Sequence, residues 1–150
     1  MSLEKDINQN KFRNEYQKAT LNIIFTSNWL QNQVKFILEP ADITPQQFNI
    51  LRILRGQSPL STLQIRERML DKMSDTSRLV ERLIKKELLE KKSCKGDKRL
   101  VDVTITPKGL ALLASLDTDT AGLDNLLANL SQDEATMLNS LLDKIRLQII

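Results

Sequence analysis

The chain has 150 residues, 22 Lys+Arg against 19 Asp+Glu and a formal charge of +3, and only 4% of it is aromatic. That length bounds it to one domain, with or without extensions, and the abundance of leucine over aromatics favours helices. With no histidine, one cysteine and four glycines, it offers no Ser/His or Cys/His pair, no internal disulfide framework and no glycine-rich phosphate loop.

The charge is unevenly placed. Residues 61–108 hold 13 Lys+Arg against 8 Asp+Glu, a surplus of five, and the rest holds 9 against 11, a deficit of two. A basic middle between slightly acidic ends points to an anionic partner bound by the middle. The acidic residues are scattered and show no paired spacing for acid–base work or metal ligation. The sequence therefore reads as a non-enzyme without cofactor or metal.

Met1 to Asn10 is polar and carries no secretory signal. No apolar run reaches the length of a membrane span. The lone Cys94 fits a reducing cytoplasm, and its place on an expected strand makes it a small packing residue. The expected location is cytoplasmic, without membrane contact.

Residues 8–38 are predicted to form one long helix. Phe12, Tyr16, Ala19, Ile23, Ser27, Leu30, Val34 and Ile37 recur at three- and four-residue spacing, and Pro40 ends the run. Thr44-Pro45 is a helix start, with a capping threonine and proline in the first position, and this helix continues to Gly56. Ser58-Pro59-Leu60 reads as a linker. A third helix is expected from Ser61 or Thr62 to about Leu70, with Asp71-Lys72-Met73 as a turn.

The stretch from Ser74 to Gly109 organises the chain. Ser74 to Glu87 is expected to be a helix capped by Ser74. At about 100° per residue, Leu79, Val80, Leu83 and Ile84 share one arc, with Ser74, Arg78, Glu81, Arg82 and Lys85 roughly opposite. The outward face thus carries hydroxyls and guanidinium groups near its N-terminal half, where a recognition helix enters the major groove. Arg can hydrogen-bond both guanine acceptors there, and Ser or Thr can reach base edges or phosphates.

Two strands are expected next, Leu88–Cys94 and Leu100–Ile105. Val101, Val103 and Ile105 alternate with Asp102, Thr104 and Thr106, so one face buries. Lys95-Gly96-Asp97-Lys98-Arg99 forms the turn between them, flanked by Lys91 and Lys92, and its cations suit phosphate and minor-groove contact. Helix, turn, helix and basic hairpin together outline a winged helix-turn-helix.

After the hairpin, Pro107 opens a leucine-rich helix through Leu116 and on to Leu130, loosened at Asp117–Thr120. Ser131 starts a last helix whose stripe is Met137, Leu138, Leu141, Leu142, Ile145, Ile149 and Ile150. The long apolar helices at both ends exceed what a small winged core can cover, and stripes of this size mark an interface. A homodimer is expected, with Phe12, Tyr16, Ile23, Leu130, Leu138, Leu141, Leu142 and Ile145 at its interface.

These features combine into a resemblance. Asp97-Lys98-Arg99 in the wing, Thr106-Pro107-Lys108-Gly109 after it, Ser77-Arg78-Leu79 and Arg82-Leu83 in the helix, and Thr44-Pro45-Gln46-Gln47-Phe48 upstream resemble the MarR family of bacterial transcriptional regulators. One departure is Glu87, where that family usually has glycine.

The resemblance implies a single domain over 1–150. Within it, 43–109 is a DNA-binding lobe, and 8–38 with 107–150 are dimerisation helices. The fold class is mainly α with a small β-hairpin wing. It further implies a repressor that binds an inverted-repeat operator in double-stranded DNA as a two-fold dimer. Ser74, Asp75, Thr76, Ser77, Arg78, Arg82, Lys95, Lys98 and Arg99 would face DNA, with Asp97 bracing the wing. A small-molecule effector would sit between helices and lobe, near Phe25, Trp29, Phe36 and Phe48. The competing reading is a winged-helix module that binds protein and not DNA. So many cations at the wing tip count against it.

Overall fold

The computed structural model describes residues 1–94, 97–119 and 121–147, with residues 94, 97–100, 118, 119 and 121 described by backbone alone. Eight helices and three strands follow one another along the described residues. The first, α1 (Leu3–Asp6), is a single turn folded back on the long α2 (Glu15–Leu38). Glu4 is ion-paired with Lys18, whose ammonium also stands 5.6 Å from the Phe12 ring centroid.

Residues 8–14, expected to be helical, are not. Three asparagines lie in this stretch, and their side chains offer the backbone alternatives to the helix. Asn8 takes a left-handed φ of 52°. Asn14 caps α2 by accepting from the Gln17 N–H at 2.9 Å. Phe12 therefore lies ahead of the helix and outside its stripe.

A 3₁₀ turn at Glu39–Ala41 follows α2, and Asp42 turns the chain through the left-handed region (φ 55°). Thr44 then starts α3 (Pro45–Gly56) as expected. Its hydroxyl accepts from the Gln47 N–H, and the Gln47 amide oxygen accepts from the Thr44 N–H, which satisfies two orphan donors at once. The same reciprocal cap starts α4 (Thr62–Arg68) through Ser61 and Gln64. It also starts α8 (Gln132–Ile145) through Ser131 and Glu134. Ile149 and Ile150, expected to extend the α8 stripe, lie outside the described residues.

The expected linker at Ser58–Leu60 is only partly one. Leu60–Ser61 forms a short strand, β1, which pairs antiparallel with β3. The sheet order is β1-β3-β2, with β2 at Leu89–Cys94 and β3 at Asp97–Ile105. Asp97, Lys98 and Arg99, assigned above to the turn, already belong to the strand by backbone. Cys94 pairs with Asp97 after an irregularity at Ser93/Cys94.

The recognition helix, α5, spans Thr76–Lys85. Its cap is Asp75, not Ser74. Asp71 bends the chain by accepting from the Met73 N–H, and the Ser74 hydroxyl donates to the Asp71 carbonyl at 2.8 Å. The serine is held in that turn, and the Asp75 carboxylate caps instead, accepting from the Arg78 N–H at 3.2 Å.

The other end of α5 is a Schellman motif. Glu87 N–H donates to the Ile84 carbonyl and Leu88 N–H to that of Leu83, with Glu87 at φ 62°. Glutamate here takes the conformation that glycine adopts without steric cost.

Thr106 and Gly109 join the wing to α6 (Pro107–Asp119). The Thr106 hydroxyl accepts from the Gly109 N–H at 3.0 Å and donates to the Glu87 carbonyl at 2.7 Å. A Cβ on Gly109 would lie 2.5 Å from the Leu88 carbonyl oxygen and 2.7 Å from Ile105 Cγ1, so only glycine fits. The Thr-x-x-Gly boundary thus packs the first turn of α6 onto the chain between α5 and β2. Asp117–Asp119, expected to loosen the next helix, are helical by backbone within α6; Thr120 lies outside the described residues, and α7 (Ala121–Asn125) follows, with residues 126–130 in turns where helix was expected.

One core joins α3, α4, α5, α6 and the sheet around Ile50, Leu51, Leu54, Leu60, Ile65, Val80, Leu83, Val103 and Leu113. The buried arc expected for α5 is there, with Val80 and Leu83 fully enclosed and Leu79 and Ile84 packed against them. In α2 only Leu38 is buried, and α8 buries no residue. No helix among the described residues is long and apolar enough to cross a membrane.

Candidate nucleic-acid interface

The exposed face of α5 carries Ser77, Arg78, Glu81, Arg82 and Lys85. Its first turn lies at the positive end of the helix dipole, where the Asp75 carboxylate already accepts from the Arg78 N–H. Ser74, Asp75, Arg78 and Arg82 line one cleft of about 290 Å³, together with Thr44, Gln46, Asp71 and Leu79. Four of the residues expected at the DNA face are therefore brought together. Ser77 is exposed on the same helix but outside that cleft.

Thr76 is a correction. It is 0% exposed, and its hydroxyl has no hydrogen-bond partner. As the first residue of α5 it turns inward with Val80, four residues on. It cannot present a hydroxyl to DNA.

The hairpin expectations divide. Lys95 lies outside the described residues. Asp97, Lys98 and Arg99 are placed by backbone at the start of β3, and their side chains, with that of Cys94, lie outside the description. Lys91 is engaged by the Glu81 carboxylate of α5. Lys86, at the end of α5, ion-pairs with Asp42 at 3.5 Å. The sequence places Glu81 on the outward face and gives it no role. Its partner is ten residues away on another element, which helical spacing does not reveal.

A cavity of about 600 Å³ lies where the end of α2 and the start of α3 face the C-terminal half of α5, among Lys35, Glu39, Ile43, Pro45, Arg82 and Lys85. The four aromatic residues expected around an effector do not meet. Phe25 and Trp29 line a separate groove of about 420 Å³ with Met1, Leu3 and Asp6. Phe36 is exposed, and Phe48 packs on the core. Two turns of helix separate Trp29 from Phe36, and α1 covers only the N-terminal part of α2. No group of three or more His, Cys, Asp or Glu that could hold a metal occurs among the described residues.

This architecture is shared. A family model described as MarR family matches residues 43–101, the lobe from the start of α3 into β3. The HTH-type transcriptional regulator MhqR of Bacillus subtilis is 32% identical over 108 residues, 70% of this chain and 73% of that one. The chain belongs to the MarR family. It is a DNA-binding transcriptional regulator. The multiple antibiotic resistance protein MarR of Salmonella typhimurium is likewise 32% identical, over 72% of this chain and 76% of its own.

Among solved structures, a cysteine-to-serine mutant of MarR from E. coli complexed with operator DNA matches with a TM-score of 0.80 at 25% identity. The match covers 92% of this chain and 100% of that one. Bordetella bronchiseptica BpsR, whose DNA binding is regulated by 6-hydroxynicotinic acid, shares the fold (TM-score 0.76, 22% identity, 85% and 98% covered).

Proposed function

We propose that this regulator is a cytoplasmic homodimeric repressor that binds an inverted-repeat operator in duplex DNA. Each protomer contributes one α5 and one wing to half-sites about one helical turn apart, roughly 10 bp centre to centre. Ser74, Asp75, Ser77, Arg78 and Arg82 face the major groove, Arg78 and Arg82 supplying the guanidinium donors. Lys95, Lys98 and Arg99 reach along the minor groove, with Asp97 bracing the wing. The observation that carries this reading is the cleft that gathers Ser74, Asp75, Arg78 and Arg82 on the outer side of α5.

The dimer is built from α2, α6 and α8 within the segments 8–38 and 107–150. Tyr16, Ile23, Leu130, Leu138, Leu141, Leu142 and Ile145 supply its apolar contacts. Tyr16 is 85% exposed and Ile145 62% exposed in the single chain, and exposed apolar surface on this scale calls for a cover. A small molecule bound between these helices and the lobe would change the angle between the two α5 helices, and so end their fit to successive grooves.

Retention on heparin and a steep fall of duplex affinity with salt test the reading. Binding to a protein partner with no salt-dependent affinity for duplex DNA would contradict it.

A further inference from the structure

The recognition helix carries one acid, Glu81, set between Arg78 three residues before it and Lys85 four residues after it. An acid on a face that approaches phosphates repels them, so its presence needs a physical account. The structure supplies a partner: the Lys91 ammonium donates to the Glu81 carboxylate.

Lys91 comes from an unusual position for a cation. It stands opposite Val103 in the β2–β3 ladder, and Val103 is fully buried. Directly opposed residues share a sheet face. Lys91 therefore leaves the sheet on its core side, and its head group meets Glu81 on α5.

The pair does little for stability. Its side chains are 42% and 53% exposed, and exposed ion pairs add little to the folded state. The hairpin is already anchored by Leu88, Leu89 and Val103 in the core. The location is more telling. A helix seated in the major groove is flanked by the phosphate strands that bound the groove. The Glu81–Lys91 pair spans from α5 to β2, so a phosphate strand running between the proposed recognition helix and the wing would pass beside it.

We propose that Glu81 sets the sequence-independent part of the DNA affinity by holding the Lys91 charge off that phosphate strand. The pair is neutral, so a cation that would otherwise release one counterion releases none. The regulator's grip is thereby kept lower on every duplex, operator and random sequence alike, which favours release. This rests on the DNA-binding reading above and adds to it a residue that limits affinity.

The test uses the full chain, a short mixed-sequence duplex and a duplex selected from a random pool. Glu81→Gln keeps the shape and frees Lys91. It should bind both duplexes about fivefold more tightly at physiological salt, and the slope of log K against log salt should steepen by about one. Adding Lys91→Ala to that variant should remove both changes. Lys91→Gln alone should weaken binding without changing the slope, because wild-type Lys91 touches no phosphate.

The proposal is overturned by an unchanged or weaker Glu81→Gln affinity at unchanged slope. It is overturned equally by a gain that survives the loss of Lys91, or by a slope that drops by about one in Lys91→Gln. A wild-type chain with no salt-dependent duplex affinity fails the DNA-binding reading itself, and this proposal with it.

Discussion

The winged lobe and the terminal helices are opposites in what they bury. The lobe encloses Ile50, Leu51, Leu54, Val80, Leu83 and Val103 in one core and turns its charge outward along α5. The long helices do the reverse. Of the 24 residues of α2 only Leu38 is buried, and the apolar stripe of α8 faces solvent. The lobe's packing explains how α5 is held rigid, and the exposed stripes of the helices are the surface that the proposed second copy would cover.

Changes to the lobe core sharpen this contrast most. Leu83→Ala leaves a cavity beneath α5 and should cost about 2–5 kcal/mol in chemical unfolding. Leu141→Ala removes a half-exposed side chain and should barely change the stability of a separated protomer. If the two cost the same in unfolding experiments on a protomer kept monomeric, the division is wrong.

On the charged face the expected effects are smaller. Arg78→Ala should lose about 1–3 kcal/mol on the selected operator and relax preference at one base pair, as measured by competition binding. A loss equal on all sequences would make Arg78 a phosphate contact.

Smaller still is a change at the joint between α5 and the wing. Glu87 holds a left-handed φ, so Glu87→Gly should stabilise the fold by about 1 kcal/mol in thermal or chemical unfolding. A loss of stability would mean that its ion pair with Lys108 at 3.7 Å outweighs the backbone strain.

The smallest effect is at the N-terminus. The hydrogen bond from Lys18 holds the Glu4 carboxyl at about 2, below its ordinary 4.5. A depressed carboxyl stabilises the attached state above its ordinary pKa and loses that contribution as pH falls through the shifted one. The α1 turn should thus loosen between about pH 4.5 and pH 2. Trp29, the single tryptophan, lines the same groove as Leu3 and reports the change by fluorescence. Glu4→Gln should flatten that transition.

Local chemistry is readable from the sequence. Thr44-Pro45 starts a helix because cap and proline act within one turn, and the α5 stripe buries because its arc follows from helical geometry. Features that depend on distant partners are not. β1 is a strand only because Leu60 meets Val103, far along the chain, and no two-residue run announces that. Asp75 displaces Ser74 as the cap because Asp71 has already recruited the serine. Thr76 has the chemistry of a hydroxyl for DNA, and only its burial beside the core removes it. Phe12 continues the apolar spacing of α2 towards the N-terminus, yet Asn14 caps the helix two residues after it and Asn8 takes a left-handed φ. Glu87 stands out in the sequence as a departure from glycine, and the structure supplies the reason in its positive φ.

The account stands on the claim that α2 and α8 are covered by a second copy, because the spacing of the two α5 helices depends on it. Sedimentation equilibrium of the purified chain and of Leu141→Glu at micromolar concentration, each followed by binding to a palindromic duplex, measures this directly. The account predicts a wild-type dimer that protects both half-sites, and a variant that sediments as a monomer and loses tight binding. A well-folded wild-type monomer that protects the whole palindrome at full affinity would contradict it.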